Sequence, residues 1–437
     1  MRLQRPVLLA IIAAIVMVTA NALDVSLSTN SFSANYPPVV CPSTPTNLTT
    51  AISLTSDKTQ LRFVGAKSLS TIPSQTLRYT QKKAPIIVES QNTTPVVWQF
   101  RNGIWAGATI CSSLQNKQWF VGGSANVASK GLMLLVNSGL SPATVDLRIW
   151  NEVGEQPSKA IFLKENSFLE VRLDSLAPGS KELVVQTVTR AGRVTSYMLD
   201  ERGRGLKALG GDVINFASSA EKQIYIPAIP HNIRKAGSNS IALSHSLRVL
   251  VPGELDASIT VEIYSMDGSF IPTGLENRLV TSGSVVTLDL DPNLPPTKFG
   301  VKISSDQPLV AAVFSQTFAQ GKSDFIWSTA APKLSKFTLA TSGLAPQLVF
   351  IGEKIDVSLK LALRGGKSRT LSIKGEAIAM VKIPVGASSV QIIDAGKDIY
   401  AAGLVTSKSG SGYFPLVAGS VLTKSAVPVS NIRVLTP

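Results

Sequence analysis

The chain has 437 residues, which allows three or four domains of ordinary size. Hydrophobic residues make up 44% and charged residues 16%, a balance that excludes a disordered chain. The formal net charge is +14, yet the densest basic groups (Lys82-Lys83, Arg202/Arg204/Lys207, Arg234-Lys235) form no long run interleaved with aromatics, so nucleic acid is not an expected partner.

The chain opens like a secretory leader. Arg2 and Arg5 precede an apolar run, Val7 to Ala20, and Ala20-Asn21-Ala22 forms a small-x-small cleavage site. The run is short against the roughly 20 residues of a spanning helix, which favours a cleaved signal over 1–22 above an uncleaved anchor. Cleavage removes two cations and leaves +12 (40 basic against 28 acidic residues). No later stretch is apolar for long enough to span a bilayer, so membrane association is expected only through an uncleaved leader. The cysteines number two, Cys41 and Cys111. Export and an even count predict a disulfide, with two buried free thiols as the alternative. Two distant cysteines supply too few ligands for a metal site.

Residues 23–112 predict a partial β module. They hold the strand PIIVES (85–90) and the pair PVVWQFRNGIWAGATIC (95–111). Three fuller repeats follow, over 113–212, 213–322 and 323–437. Their opening halves are LMLLVNSGLSPATVDLRIWNEVG (132–154), LRVLVPGELDASITVEIYSMDG (247–268) and LVFIGEKIDVSLKLALRGG (348–366). Each is an apolar strand, a polar turn and an alternating strand, and the period of two predicts one buried face. Their closing halves end in strand pairs: ELVVQTV with GRVTSYMLD, FGVKISS with PLVAAVFSQ, and SSVQIID with DIYAAGLVTS. Polar turns are expected at Asp306-Gln307 and Gly396-Lys397-Asp398. The chain thus shows four closing halves and three opening ones, at spacings of about 115 and 101 residues.

About seven strands per 100 residues predict an all-β fold of tandem, immunoglobulin-like β-sandwich repeats. The half-copy count motivates an alternative, a closed ring or propeller-like arrangement in which the C-terminal strand Tyr413–Val417 completes the N-terminal half-module. The best helical segment is Leu199–Leu209, interrupted by glycines. Its core, Arg202-Gly203-Arg204-Gly205 followed by Gly210-Gly211, suggests a flexible linker carrying a basic binding patch at Arg202, Arg204 and Lys207.

Cys111 is followed by Gln118-Trp119-Phe120-Val121-Gly122-Gly123, the strand LMLLVN and Ser141-Pro142-Ala143-Thr144-Val145, with Cys41-Pro42 upstream. This pattern resembles actinobacterial secreted proteins grouped as a domain of unknown function. Ser138 stands where that family has proline, a departure at a turn. The resemblance implies location and architecture and transfers no catalytic residue.

No catalytic signature emerges. His231 lies in a loop among basic neighbours, and His245 lies in a strand beside Ser244 and Ser246, with no G-x-S-x-G elbow. Ser219-Ala220-Glu221-Lys222 matches S-x-x-K without the rest of the penicillin-binding signature. Asp289, Asp291 and Asn293 have the spacing of a calcium loop, but Leu294 and Gly300 replace its glycine and glutamate. The expectation is a secreted or cell-envelope protein without catalysis, metal or cofactor. It would serve as a binding or structural module whose partner is an anionic cell-wall polymer or another envelope protein. A hydrolase of wall glycan or peptide is the alternative.

Overall fold

The computed structural model describes residues 12–13, 32–89, 92–205, 207–236, 239–291, 294–295, 297–319 and 321–426. The leader residues Arg2, Arg5 and Ala20-Asn21-Ala22 lie outside them, as does Asn293 of the calcium-like spacing. Two compact units emerge. In one, Phe32–Asn35 pairs antiparallel with Thr423–Ala426. The other, 37–421, holds all the repeats.

Every module of the larger unit is a pair of small sheets, and the second module shows the plan. Its outer sheet runs Lys117–Val121, Val184–Ala191, Ala143–Trp150, Glu155–Leu163 in spatial order. Its inner sheet runs Ser167–Arg172, Leu132–Asn137, Val194–Arg204, Lys207–Ile214. The alternation read in 143–150 places Val145, Leu147 and Ile149 in the core between the sheets. Burial of one face by period two is what holds such a sandwich together.

The first module follows the same plan and is complete, which corrects the partial module expected there. Its outer sheet is Val39–Cys41, Ile86–Val88, Gln60–Phe63, Ile72–Pro73, and its inner sheet is Arg78–Gln81, Thr49–Ser53, Thr93–Arg101, Trp105–Ile110. The opening half escapes notice because its outer strands are only two to four residues long. In the third module one strand, Lys298–Ala319, serves both sheets. Residues 298–305 pair in the outer sheet with Glu221–Pro230 and Ala257–Ser265; residues 310–319 pair in the inner sheet with His245–Leu250 and Lys322–Thr329. The turn expected at Asp306-Gln307 is absent. Asp306 Oδ1 accepts from Ser258 N at 2.9 Å and Ser305 Oγ accepts from Gln307 N at 3.2 Å, so these polar residues bridge the crossing between sheets. In the fourth module Gln347–Leu363 does the same, with a register shift at Gly352/Lys354 in place of a turn.

The segment 199–209 is not helical and is not a linker. Val194–Arg204 and Lys207–Ile214 form a hairpin, with Arg204 opposite Lys207. Among the described residues there are four such hairpins, one per module. Their second strands are β1 (Trp105–Ile110), β2 (Lys207–Ile214), β3 (Lys322–Thr329) and β4 (Gly410–Pro415). Phe325-Ile326-Trp327 therefore closes the third module's inner sheet, and the boundary drawn at 322 falls at that strand's start.

The strands β1 to β4 pack against one another in a circuit. A Cβ on Gly107 of β1 would lie 2.6 Å from Val213 N of β2, and one on Gly412 of β4 would lie 2.5 Å from Ala108 N of β1. Between β2 and β3, Gly211 N donates to Asp324 Oδ1 at 3.1 Å; between β3 and β4, Tyr413 Oη donates to Thr329 O at 2.6 Å. The ring is also closed by a parallel ladder, Thr338–Ala340 of the fourth module on 93–95 of the first. Both readings of the sequence are thus combined: the modules are two-sheet sandwiches, and they form a closed ring. The C-terminal strand β4 pairs with Tyr400–Ser407 and completes its own module, not the first. The two nearest atoms to a Cβ on Gly412 are backbone and the third is the fixed Cβ of Ala108 at 2.9 Å, so Gly412→Val meets nothing that can swing aside. We expect it to lower stability by about 1–3 kcal/mol, measured as a lower denaturation midpoint; an unchanged midpoint contradicts the close packing.

Candidate functional site

The strand circuit has a buried polar interior. Asp212 on β2 accepts from its own chain neighbour Val213 N at 2.8 Å and from Trp327 N on β3 at 2.7 Å. Asp200 accepts from Trp327 Nε1 at 3.0 Å and from Arg202 Nη2 at 2.9 Å. Asn215 spans three modules, donating to Ala108 O at 3.1 Å and Tyr413 O at 2.8 Å while accepting from Thr109 Oγ1 at 2.8 Å. Arg248, fully enclosed, lies over the Trp327 ring at 4.8 Å and donates to Gly123 O; burial lowers its pKa to about 10. Burial is also the main force on the acids. It holds Asp212 well above the usual carboxylate range against the pull of its two backbone donors, and pushes Asp324 up to about 7.

The raised pKa of Asp324 couples its protonation to folding. Its folded pKa exceeds the unfolded value near 4, so the folded state binds the extra proton between about pH 4 and 7. The stability it contributes is fully present below pH 4 and is lost as pH rises through 7. We expect Asp324→Asn to be the less pH-sensitive protein across that window, measured by thermal unfolding at pH 4, 6 and 8. Parallel curves for the two proteins would remove Asp324 from the explanation.

The three basic residues singled out in the sequence do not form one patch. The Arg202 guanidinium is committed internally, paired with Asp200 and lying over Phe325 and Phe314 at 4.6 and 5.1 Å. Arg204 and Lys207 sit exposed at the hairpin's tip. Cys41 and Cys111 do form the disulfide, with Cα atoms 4.4 Å apart and both residues buried. It ties the first module's outer strand to the residue that follows β1.

The two histidines meet, which the sequence did not suggest. His231 Nδ1 and His245 Nε2 lie 2.8 Å apart, and His245 Nδ1 lies 2.8 Å from Ser315 Oγ. Both rings stand edge-on to Phe299. Burial lowers both pKa values, His245 to about 4, so the pair is neutral at pH 7. Ser315 is wholly buried and out of a substrate's reach, so the chain of hydrogen bonds is a core network. Among the described residues no group of three His, Cys, Asp or Glu is placed to hold a metal.

A cavity of about 410 Å³ lies where the four inner strands end. Ile110 at the end of β1, Phe216 beyond β2, Ala331 beyond β3 and Val417 beyond β4 all line it, so every module contributes. Its size falls in the ordinary range for small-molecule sites. The lining is mostly apolar, with Tyr225 and Tyr400 stacked at 3.7 Å and 7° on one side. Ser219 lines it too, its hydroxyl donating to Glu221 Oε1 at 2.6 Å, so the S-x-x-K serine is engaged by a carboxylate and not by Lys222. A more open groove of about 780 Å³ lies between the first and second modules. Four of its charged groups pair, Arg101 with Glu201 at 3.0 Å and Arg172 with Asp174, while Glu170 accepts from Ser43 Oγ and Lys130 donates to Gly205 O. Periodicity cannot point to the cavity, because its walls come from segments about a hundred residues apart.

A family of unknown function, DUF5719, matches residues 83–384. The chain belongs to this family. The DUF5719 match runs from the closing half of the first module into the fourth, and takes in β1, β2 and β3 but not β4. No curated protein matches this DUF5719 chain. Among solved structures, it is similar to the crystal structure of Thermotoga maritima 1070, at 15% identity over 24% of this chain and 96% of that one, with a TM-score of 0.22. It is also similar to a tetra-tandem repeat from the extending region of a large adhesion protein, at 8% identity over 91% and 99% of the two chains, with a TM-score of 0.09. Neither score carries an argument about the DUF5719 fold. Among the described residues no helix is long and apolar enough to cross a membrane, and the disulfide is consistent with an extracytoplasmic location.

Proposed function

We propose that the protein is an exported, non-catalytic binding module of the cell envelope, with its ligand seated in the cavity at the end of the strand circuit. The observation that carries this reading is the convergence of all four modules on one mostly apolar cavity whose lining also holds polar groups. A ring of sandwiches holds the strand ends that frame such a cavity in fixed positions, which suits precise binding. The leader-like N-terminus and the buried disulfide support export. The surplus of basic residues supports attraction to an acidic wall polymer over the outer surface, an interaction that salt should screen.

The test uses protein purified from its own host. Native mass spectrometry of the wild type should show a co-purifying small molecule, and Val417→Trp, which adds bulk to the cavity lining, should lose it while keeping the wild-type melting curve. Retention of the same ligand by the folded variant would overturn the reading. Binding to isolated wall fragments should weaken between 50 and 500 mM salt; salt-insensitive retention counts against the acidic polymer.

A further inference from the structure

We infer that the cavity takes an organic cation with an apolar body, such as an ammonium or guanidinium group carried on a hydrocarbon chain or ring. This rests on the proposed binding role and names the chemistry of its ligand. The stacked rings of Tyr225 and Tyr400 form one wall. Four carboxylates act on that pair: Glu353, Asp398 and Glu262 on Tyr225, and Asp398 and Glu221 on Tyr400. Two of them are neutralised, Asp398 by Lys333 at 2.7 Å and Glu262 by Lys302 at 3.5 Å. Glu221 and Glu353 have no ion pair among the described residues, and Glu221 itself lines the cavity. Around the tyrosine pair four carboxylates stand against two cations, Lys302 and Lys333, the latter also lining the cavity, an excess of negative charge in a chain whose net charge is +14.

Three physical features favour a cation over other ligands. The faces of aromatic rings are electronegative and attract cations, more strongly when water is excluded. The unpaired carboxylates add to that attraction, and would repel an anion. The rest of the lining, with Phe216, Ile224, Val310 and Val417, offers hydrocarbon to an apolar body. Net charge alone would direct an acidic ligand to this protein; the cavity is the place where that rule is locally reversed.

The probes are benzyltrimethylammonium chloride, benzyl alcohol and sodium phenylacetate, titrated against the full mature chain and followed by NMR on the tyrosine ring protons. The cation is expected to bind at least about tenfold more tightly than the neutral and anionic probes. The double variant Glu221→Gln/Glu353→Gln, altered only at exposed positions, should lose about tenfold for the cation and leave benzyl alcohol unchanged. If benzyl alcohol or phenylacetate binds as tightly as the cation, and Val417→Trp abolishes both, the cavity stands and the cation inference falls. If none of the three binds, the cavity role falls with it.

Discussion

Replacing Cys41 and Cys111 together with alanine is expected to lower the stability of the first module by about 4 kcal/mol. The bridge spans 70 residues of sequence, and a loop of that length removes about this much chain entropy from the unfolded state. The bond is buried in a cluster with Val39, Ile52, Leu61 and Val97, so the alanines also leave a small cavity. Its neighbours Val40 and Ser112 exchange two backbone hydrogen bonds, at 2.9 and 3.1 Å, which hold the two segments together without the sulfurs. The loss should therefore appear as a lower unfolding midpoint and faster amide exchange concentrated in 37–112, with the ring still assembled at low temperature. A double variant as stable as the oxidised wild type would show that the bridge does no structural duty.

Asp212→Ala is expected to cost about 4 kcal/mol. Two buried backbone donors, Val213 N and Trp327 N, lose their acceptor, and an unmet buried donor costs about 1–3 kcal/mol. The donor on Trp327 belongs to the neighbouring module's inner strand, so the damage crosses a module junction. Asp212→Asn keeps one carbonyl oxygen and should cost about half as much. The comparison also separates hydrogen bonding from charge. Burial, aided by Asp324 and Asp200 nearby, disfavours the ionised form of Asp212, so part of the penalty in the alanine variant is offset by removing a strained carboxyl. Urea unfolding of the three proteins provides the measurement, and an alanine variant within 0.5 kcal/mol of the wild type would contradict the argument.

How far the sequence led can be seen in particular residues. Alternation in 143–150, 257–265 and 355–361 identified half-buried strands correctly, because one polar face per strand is a local property. Strands were also visible at 184–191 and 194–204, but they were read as one pair, whereas the fold places them in different sheets and pairs 194–204 with 207–214. The first module's opening half was not visible, since strands as short as Val39–Cys41 and Ile72–Pro73 hold too few residues to display a period. Lys298–Ala319 misled in the other direction: its polar residues at 306–307 resemble a turn, but they mark where one strand passes between sheets. Arg202, Gly203 and Arg204 suggested a loose linker because glycines and charges read as exposed. In the fold they form a hairpin in which Arg202 is held by Asp200 and two aromatic rings. The cavity and the His231–His245 pair depend on which distant segments meet, and periodicity carries no information about that.

The parallel ladder between 93–95 and Thr338–Ala340 has a consequence for how the protein comes to be made. The strand edge at 93–95 acquires its neighbour only when residues about 245 positions later have been synthesised and delivered. The four sandwiches can each condense as units from pairings within about a hundred residues as they emerge. Joining the last to the first requires a long loop to close, which is slow, and an unpaired edge in the meantime can accept a strand from another chain. A chain truncated before residue 338 should therefore keep its first modules folded yet self-associate, whereas the full-length ring should stay monomeric. In this architecture the fourth module acts as the cap that protects the first.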